Sequence, residues 1–170
     1  MLHHAAAMRL IAAISIVALS VASLALAGNS QLITKASIGK GRLGQSRAAY
    51  KKAYGKPRSV EKLEGGLTRL RYQHGTIEVY FKTGANSGRY IVVRSRGYKT
   101  AKGVGPCAKG SAVKKHYRSA VKVSLAGGNE FAYRLGSKLW FDVESGKIAT
   151  VALGVGKKTA WIASNSPACR

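Results

Sequence analysis

The chain has 170 residues, 46% of them hydrophobic, which is enough to build one domain or two small ones. Its 29 basic residues against 6 acidic ones give a formal charge of +23, so it seeks polyanions and disfavours basic partners. It has two cysteines, no Cys-x-x-Cys pair and no close His/Cys set, which argues against zinc.

In chain order, Met8 and Arg9 precede Leu10–Ala27, an apolar stretch of eighteen residues ending in Ala25-Leu26-Ala27. A charged start, an apolar run and a small-x-small end form the pattern of a secretory signal peptide, cut after Ala27. Met8 is an alternative start, and a retained anchor is the competing reading. Cleavage leaves 170 − 27 = 143 residues and 29 − 1 = 28 basic ones. Export permits a disulfide between Cys107 and Cys169, which would tie the C-terminal end to the middle of the chain.

Residues 28–36 read as a flexible N-terminal segment. The GKGRLG turn that follows lacks the Lys-Ser or Lys-Thr of a phosphate loop and is assigned little chemistry. Gln45–Tyr54 reads as a helix. Ala49, Tyr50, Ala53 and Tyr54 share one stripe, Ser46 is placed to cap the start, and Gly55 and Pro57 stop it. Arg58–Glu64 is a connector or a weak strand. Leu70 and Tyr72, then Ile77, Val79 and Phe81, alternate with polar residues and predict strands with one buried face. Ile91 and Val93 mark a third strand.

The pattern then recurs. Ser111–Tyr117 predicts a second helix whose stripe of Ala112, Val113, His116 and Tyr117 repeats the first stripe 63 residues on. Strands are predicted around Val121–Leu125, Phe131–Leu135, Leu139–Val143 and Ile148–Val155. Tyr72-x-x-Gly75 returns as Tyr133-x-x-Gly136, and Val79-Tyr80-Phe81 as Leu139-Trp140-Phe141. An ordered series of such matches reads as an internal repeat. The expected fold is α+β, as two tandem modules, 37–98 and 99–156. Each would be a short helix on a three- or four-stranded antiparallel sheet, followed by a C-terminal tail at 157–170. The TAWIA segment of that tail would be an edge strand or a cover.

LGQSRAAYKKAYGKP with GTIEVYFKTG, and KGSAVKKHY with SKLWFDVESGK, resemble tandem beta-lactamase-inhibitor-protein-like (BLIP-like) modules, a plan also found in exported proteins of high-GC Gram-positive bacteria. The resemblance covers roughly residues 37–155. It implies a protein partner on the uncovered, concave sheet face. The inhibitor type carries a disulfide within each module, which two cysteines cannot copy.

The alternation puts Tyr80 and Trp140 on the face opposite the helices, with Arg69, Arg71, Lys82, Arg134 and Lys138 on or beside it. Aromatics among cations can hold a protein surface or a sugar-phosphate polymer, so these seven residues form the expected binding site. Glu78 and Asp142 occupy related strands and are the one candidate carboxylate pair; salt bridges to Arg71 or Arg134 are the plainer role. His74 sits in a turn, and His116 on the helical stripe reads as a packed histidine. No catalytic residue, metal or cofactor is expected. The expected function is an exported, non-enzymatic basic interaction module in the cell envelope or outside the cell, binding an anionic envelope polymer or a secreted or envelope protein. The alternatives are an inhibitor of a secreted hydrolase, non-specific binding of extracellular nucleic acid, and a hydrolase. Peripheral contact with an anionic membrane is a further partner, with no membrane span left after cleavage.

Overall fold

A computed structural model describes residues 31–125, 131–155 and Cys169. The expected signal peptide and the TAWIA segment lie outside the described residues. Three two-residue strands open the described chain: β1 (Leu32–Ile33), β2 (Ser37–Ile38) and β3 (Gly41–Arg42). Helix α1 (Arg47–Tyr54) follows, then β4 (Ser59–Leu63), β5 (Leu67–Tyr72), a single 3-10 turn at Gln73–Gly75, β6 (Ile77–Lys82), β7 (Gly88–Val93) and β8 (Lys99–Thr100). Helix α2 (Ser111–His116) precedes β9 (Val121–Ser124), β10 (Phe131–Leu135), β11 (Leu139–Glu144) and β12 (Lys147–Leu153).

The fold is mostly β, and the expected pair of separate helix-on-sheet modules does not occur. Strands from both expected modules form one eight-stranded antiparallel sheet in the order β4-β5-β6-β7-β12-β11-β10-β9. A second sheet, β3-β2-β1-β8, has four strands. The reason lies in β7 and β12. Ile91, Val92 and Val93, like Val151, Ala152 and Leu153, are apolar at both parities and fully buried. Such strands need sheet neighbours on both edges and cover on both faces. Pairing with one another, Val93 opposite Val151 and Ile91 opposite Leu153, gives each strand its second edge neighbour. One row of residues therefore crosses all eight strands: Ser59, Arg71, Glu78, Val92, Ala152, Trp140, Arg134 and Val121.

Both helices lie on one face. Ser46 caps α1, its Oγ accepting the Ala49 N–H at 3.2 Å, and Gly55 ends it at φ +91°. Tyr50 and Tyr54, one turn apart, bury their rings against Phe81 and Tyr72, with centroids 5.8 and 5.6 Å apart. Their hydroxyls find backbone acceptors: Tyr50 donates to the Arg42 carbonyl at 2.6 Å and Tyr54 to that of Ile38. A buried phenol needs such a partner. These two bonds tie the helix to the small sheet, while the rings pack on the large one. On the other half Val113 is buried, and Tyr117 stacks on Phe141 at 6.2 Å. His116 is exposed rather than packed.

The N-terminal segment also differs from expectation. Ile33 and Ile38 are buried and anchor the small sheet, so the stretch from Leu32 is structured. Isolated two-residue strands are too short to read from alternation. They persist here because β1 pairs in parallel with β8, 67 positions away, Leu32 opposite Lys99. Cys107 and Cys169 are joined, across a sequence separation of 62. Closing such a loop stabilises the fold by about 4 kcal/mol in chain entropy.

Two predictions follow from this packing. A Cβ on Gly88 would fall inside the Tyr50 ring, so Gly88→Ala lowers stability by about 1–3 kcal/mol in urea unfolding; an unmoved midpoint would contradict the Tyr50 seat. Reduction of the disulfide lowers stability by up to about 4 kcal/mol, read as a fall in thermal midpoint with and without reductant.

Candidate functional site

The sheet face opposite the helices carries most of the residues expected to bind, and it is not an open binding face. Trp140 is 0% exposed and Tyr80 2%. They belong to a second core with Leu67, Tyr90, Val92, Ala132, Ala152 and Val155. The Trp140 indole N–H donates to the Val155 carbonyl at 2.7 Å, satisfying its one donor inside that core. These aromatics are structural here: truncating a buried Trp costs about 3–5 kcal/mol. Period-two alternation assigns a side chain to a face but does not say whether that face is covered.

Arg69 and Arg71 are occupied as well. Glu78, buried, accepts from Arg71 Nε at 3.2 Å and from the Tyr80 hydroxyl at 2.6 Å, and lies 3.0 Å from Arg94 Nη1 and 3.8 Å from Arg69 Nη1. Arg69 also donates to Glu61, and Arg71 Nη1 lies 3.1 Å from Glu61. Register explains the cluster: Glu61 sits opposite Arg69, Arg71 opposite Glu78, and Arg69 opposite Tyr80. Three guanidiniums and two carboxylates thus cross β4, β5, β6 and the end of β7. The guanidinium of Arg69, by its hydrogen bond, holds the Glu61 carboxyl below the usual carboxylate range. Burial, and then the Glu78 charge, push the Tyr80 phenol up to about 12.

Arg134 is half-buried between Trp140 and Val121 in the ladder. Glu78 and Asp142 do not form a facing carboxylate pair. Both are buried, and β6 and β11 stand three strand spacings apart, roughly 14 Å. That exceeds the ~5–9.5 Å used in glycoside hydrolysis. Among the described residues no group of three or more His, Cys, Asp or Glu could hold a metal. No helix among them is long and apolar enough to cross a membrane.

The remaining two expected residues, Lys82 and Lys138, are exposed and come together elsewhere. They flank a groove at the strand ends, made of two open depressions that share Leu43, Gly44 and Lys138. One, about 610 Å³, adds Lys35 and Arg42; the other, about 490 Å³, adds Lys82 and Arg89. Among the described residues no acidic one lines either. Among the described residues, none of the five cations has an ion-pair partner.

Backbone bonds fix the groove. The Gly44 N–H donates to the Gly88 carbonyl at 2.9 Å and the Gly88 N–H to the Gln45 carbonyl at 2.8 Å, locking the loop after β3 onto β7. The Gly154 N–H donates to the Lys138 carbonyl at 2.8 Å. Gly154, at φ +89°, leaves space for Leu43 that a Cβ would fill. Arg42, Leu43 and Gly44 come from GKGRLG, the turn assigned little chemistry. It lines the groove because two other turns are brought beside it by the sheet. Arg89 carried no signal beyond its own charge.

A scan against protein families finds no match, and no curated protein matches the chain. Among solved structures, the chain is similar to an extracellular protein containing an SCP domain from Bacillus anthracis, at 14% identity and a TM-score of 0.49. That likeness covers 69% of this chain, which spans 45% of that protein. It is also similar to a DUF4309 family protein from Bacillus subtilis, at 15% identity and a TM-score of 0.45, covering 73% of this chain and 86% of that one. At these values neither likeness carries functional information, and no BLIP-like protein is among them.

The ionisable groups with displaced pKa values mark the pH range of the fold. Glu61, with its folded pKa lowered, contributes stability above the ordinary carboxylate range that is lost on acidification. Tyr50 and Tyr80 are raised by burial from 10.0 to about 12, so their contribution is complete below 10 and lost as pH climbs towards 12. Tyrosinate absorbance is therefore expected to show these two ionising only as the fold is lost in alkali. All tyrosines titrating near 10 in an intact fold would contradict their burial.

Proposed function

We propose that this protein is an exported, non-enzymatic basic module that captures an anionic cell-envelope polymer in the groove around Leu43. The observation that carries this reading is five cations lining one groove with no acidic residue among its described lining. Like charges gathered around one groove repel one another. An arrangement that concentrates them without compensation favours an anionic ligand, and rigid backbone around it lowers the entropy lost on binding.

Export rests on the apolar run ending in Ala25-Leu26-Ala27, and the Cys107–Cys169 bond suits an oxidising compartment. A polymer is preferred to the protein partner that a BLIP-like module would hold on its sheet face. The aromatics on that face are buried and Arg69 and Arg71 are paired with Glu61 and Glu78, whereas the groove is cationic and open.

The test is binding of the protein to isolated cell envelope at graded salt. Five phosphate contacts predict a slope of log K against log salt of about −3.5, or a fall of about a hundredfold between roughly 50 and 200 mM. Lys82→Ala with Lys138→Ala makes the slope shallower by about 1.4. Lys52→Ala with Lys115→Ala, exposed on the helices and outside the groove, leaves binding nearly unchanged. Equal losses from the two pairs would mean that bulk charge, not the groove, does the binding.

A further inference from the structure

The two depressions repeat one arrangement. Each has its own lysine and arginine, Lys35 with Arg42 on one side and Lys82 with Arg89 on the other. Lys138 serves both, and the neutral pair Leu43-Gly44 forms the saddle between them. We infer that the groove is a two-subsite reader of a linear phosphodiester chain without bases, seating successive phosphates in the two depressions and the neutral spacer between them over Leu43. This rests on the groove being the binding site proposed above.

Three features of the lining select that chemistry. A single small anion can fill only one depression, leaving the other pair of cations unanswered; a chain with a charge on every unit fills both. A planar carboxylate is satisfied by the fork of one arginine. A diester phosphate offers two unbridged oxygens in a tetrahedral arrangement, one for the arginine fork and one for the lysine ammonium beside it. Finally, among the described residues no aromatic side chain lines either depression. Single-stranded nucleic acid is held largely by bases stacked on aromatic rings, so this groove favours the backbone chemistry of such a polymer and offers its bases nothing. Gly44, without a side chain, lets a spacer come close to the backbone at the saddle, and half-buried Leu43 gives it an apolar floor.

The two subsites act as linked sites. Once one phosphate is bound, the second binds from a high effective concentration, so affinity rises in a step when the ligand first carries two charges.

The experiment is calorimetric titration of the full chain, at one fixed salt, with synthetic glycerol phosphodiesters of one, two and four phosphates, a tetra-galacturonate and a thymidine tetranucleotide. The two-phosphate ligand is expected to bind at least about tenfold more tightly than the one-phosphate ligand, with only a statistical gain at four. Galacturonate and the tetranucleotide are expected to bind more weakly than the four-phosphate ligand. Arg42→Ala and Arg89→Ala, both exposed, should each abolish the step, bringing two-phosphate binding down to about the level of the one-phosphate ligand. A smooth rise with ligand charge, or equal affinity for galacturonate or for the tetranucleotide, overturns the two-subsite reading. If the groove variants still weaken every polyanion in that case, the groove remains the binding site and only its selectivity falls. Variants that bind all ligands as the unaltered chain does overturn both.

Discussion

The structure depends on the pairing of β7 with β12. A strand that is apolar at both parities cannot sit at an edge or face water, and this chain has two, one near the end of each half. Joining them converts two small sheets, each with an apolar edge, into one sheet whose edges are β4 and β9. Those outer strands carry Glu61, Lys62 and Lys122, charges that discourage further strand addition. The exposed Val60 and Val121 lie on them too, where an isolated apolar side chain is tolerated. Without the seam, neither half would bury enough surface to be robust.

The seam also determines where charge can go. With helices on one face and a second core on the other, the carboxylates of Glu61 and Glu78 are drawn into a network with Arg69, Arg71 and Arg94. Two of only six acidic residues are thus spent on the sheet. Most of the remaining lysines and arginines stay exposed, and few carboxylates are left to neutralise them. The cationic groove follows from that segregation: it forms where turns from the N-terminal segment, the β6–β7 connection and the β10–β11 connection meet at the strand ends.

Local structure was largely legible in the residues. Ser46, the tyrosine stripe and Gly55 delimit α1 because capping and periodicity act over a few residues, and the strand alternation placed Leu70, Ile77, Val79 and Phe81 beneath it. What alternation could not convey was nonlocal. Nothing within β7 or β12 says that each will find the other rather than a strand of its own half, although their apolar character on both faces was visible. Tyr80 and Trp140 were assigned to the correct face but read as open, because cover comes from elsewhere in the chain. Of seven expected binding residues, Lys82 and Lys138 reach the groove; their partners Lys35, Arg42 and Arg89 are distant in sequence and share no motif. The small sheet escaped notice because two-residue strands have no period.

The most direct test is a backbone amide NMR titration of the isotopically labelled protein with polyglycerol phosphate. Shifts concentrated at the amides of Gly44, Lys82, Arg89 and Lys138, saturating together, are the predicted result. Shifts scattered over the lysines of α2 and β4, or centred on the sheet face around Arg69 and Arg134, would contradict a groove-borne function.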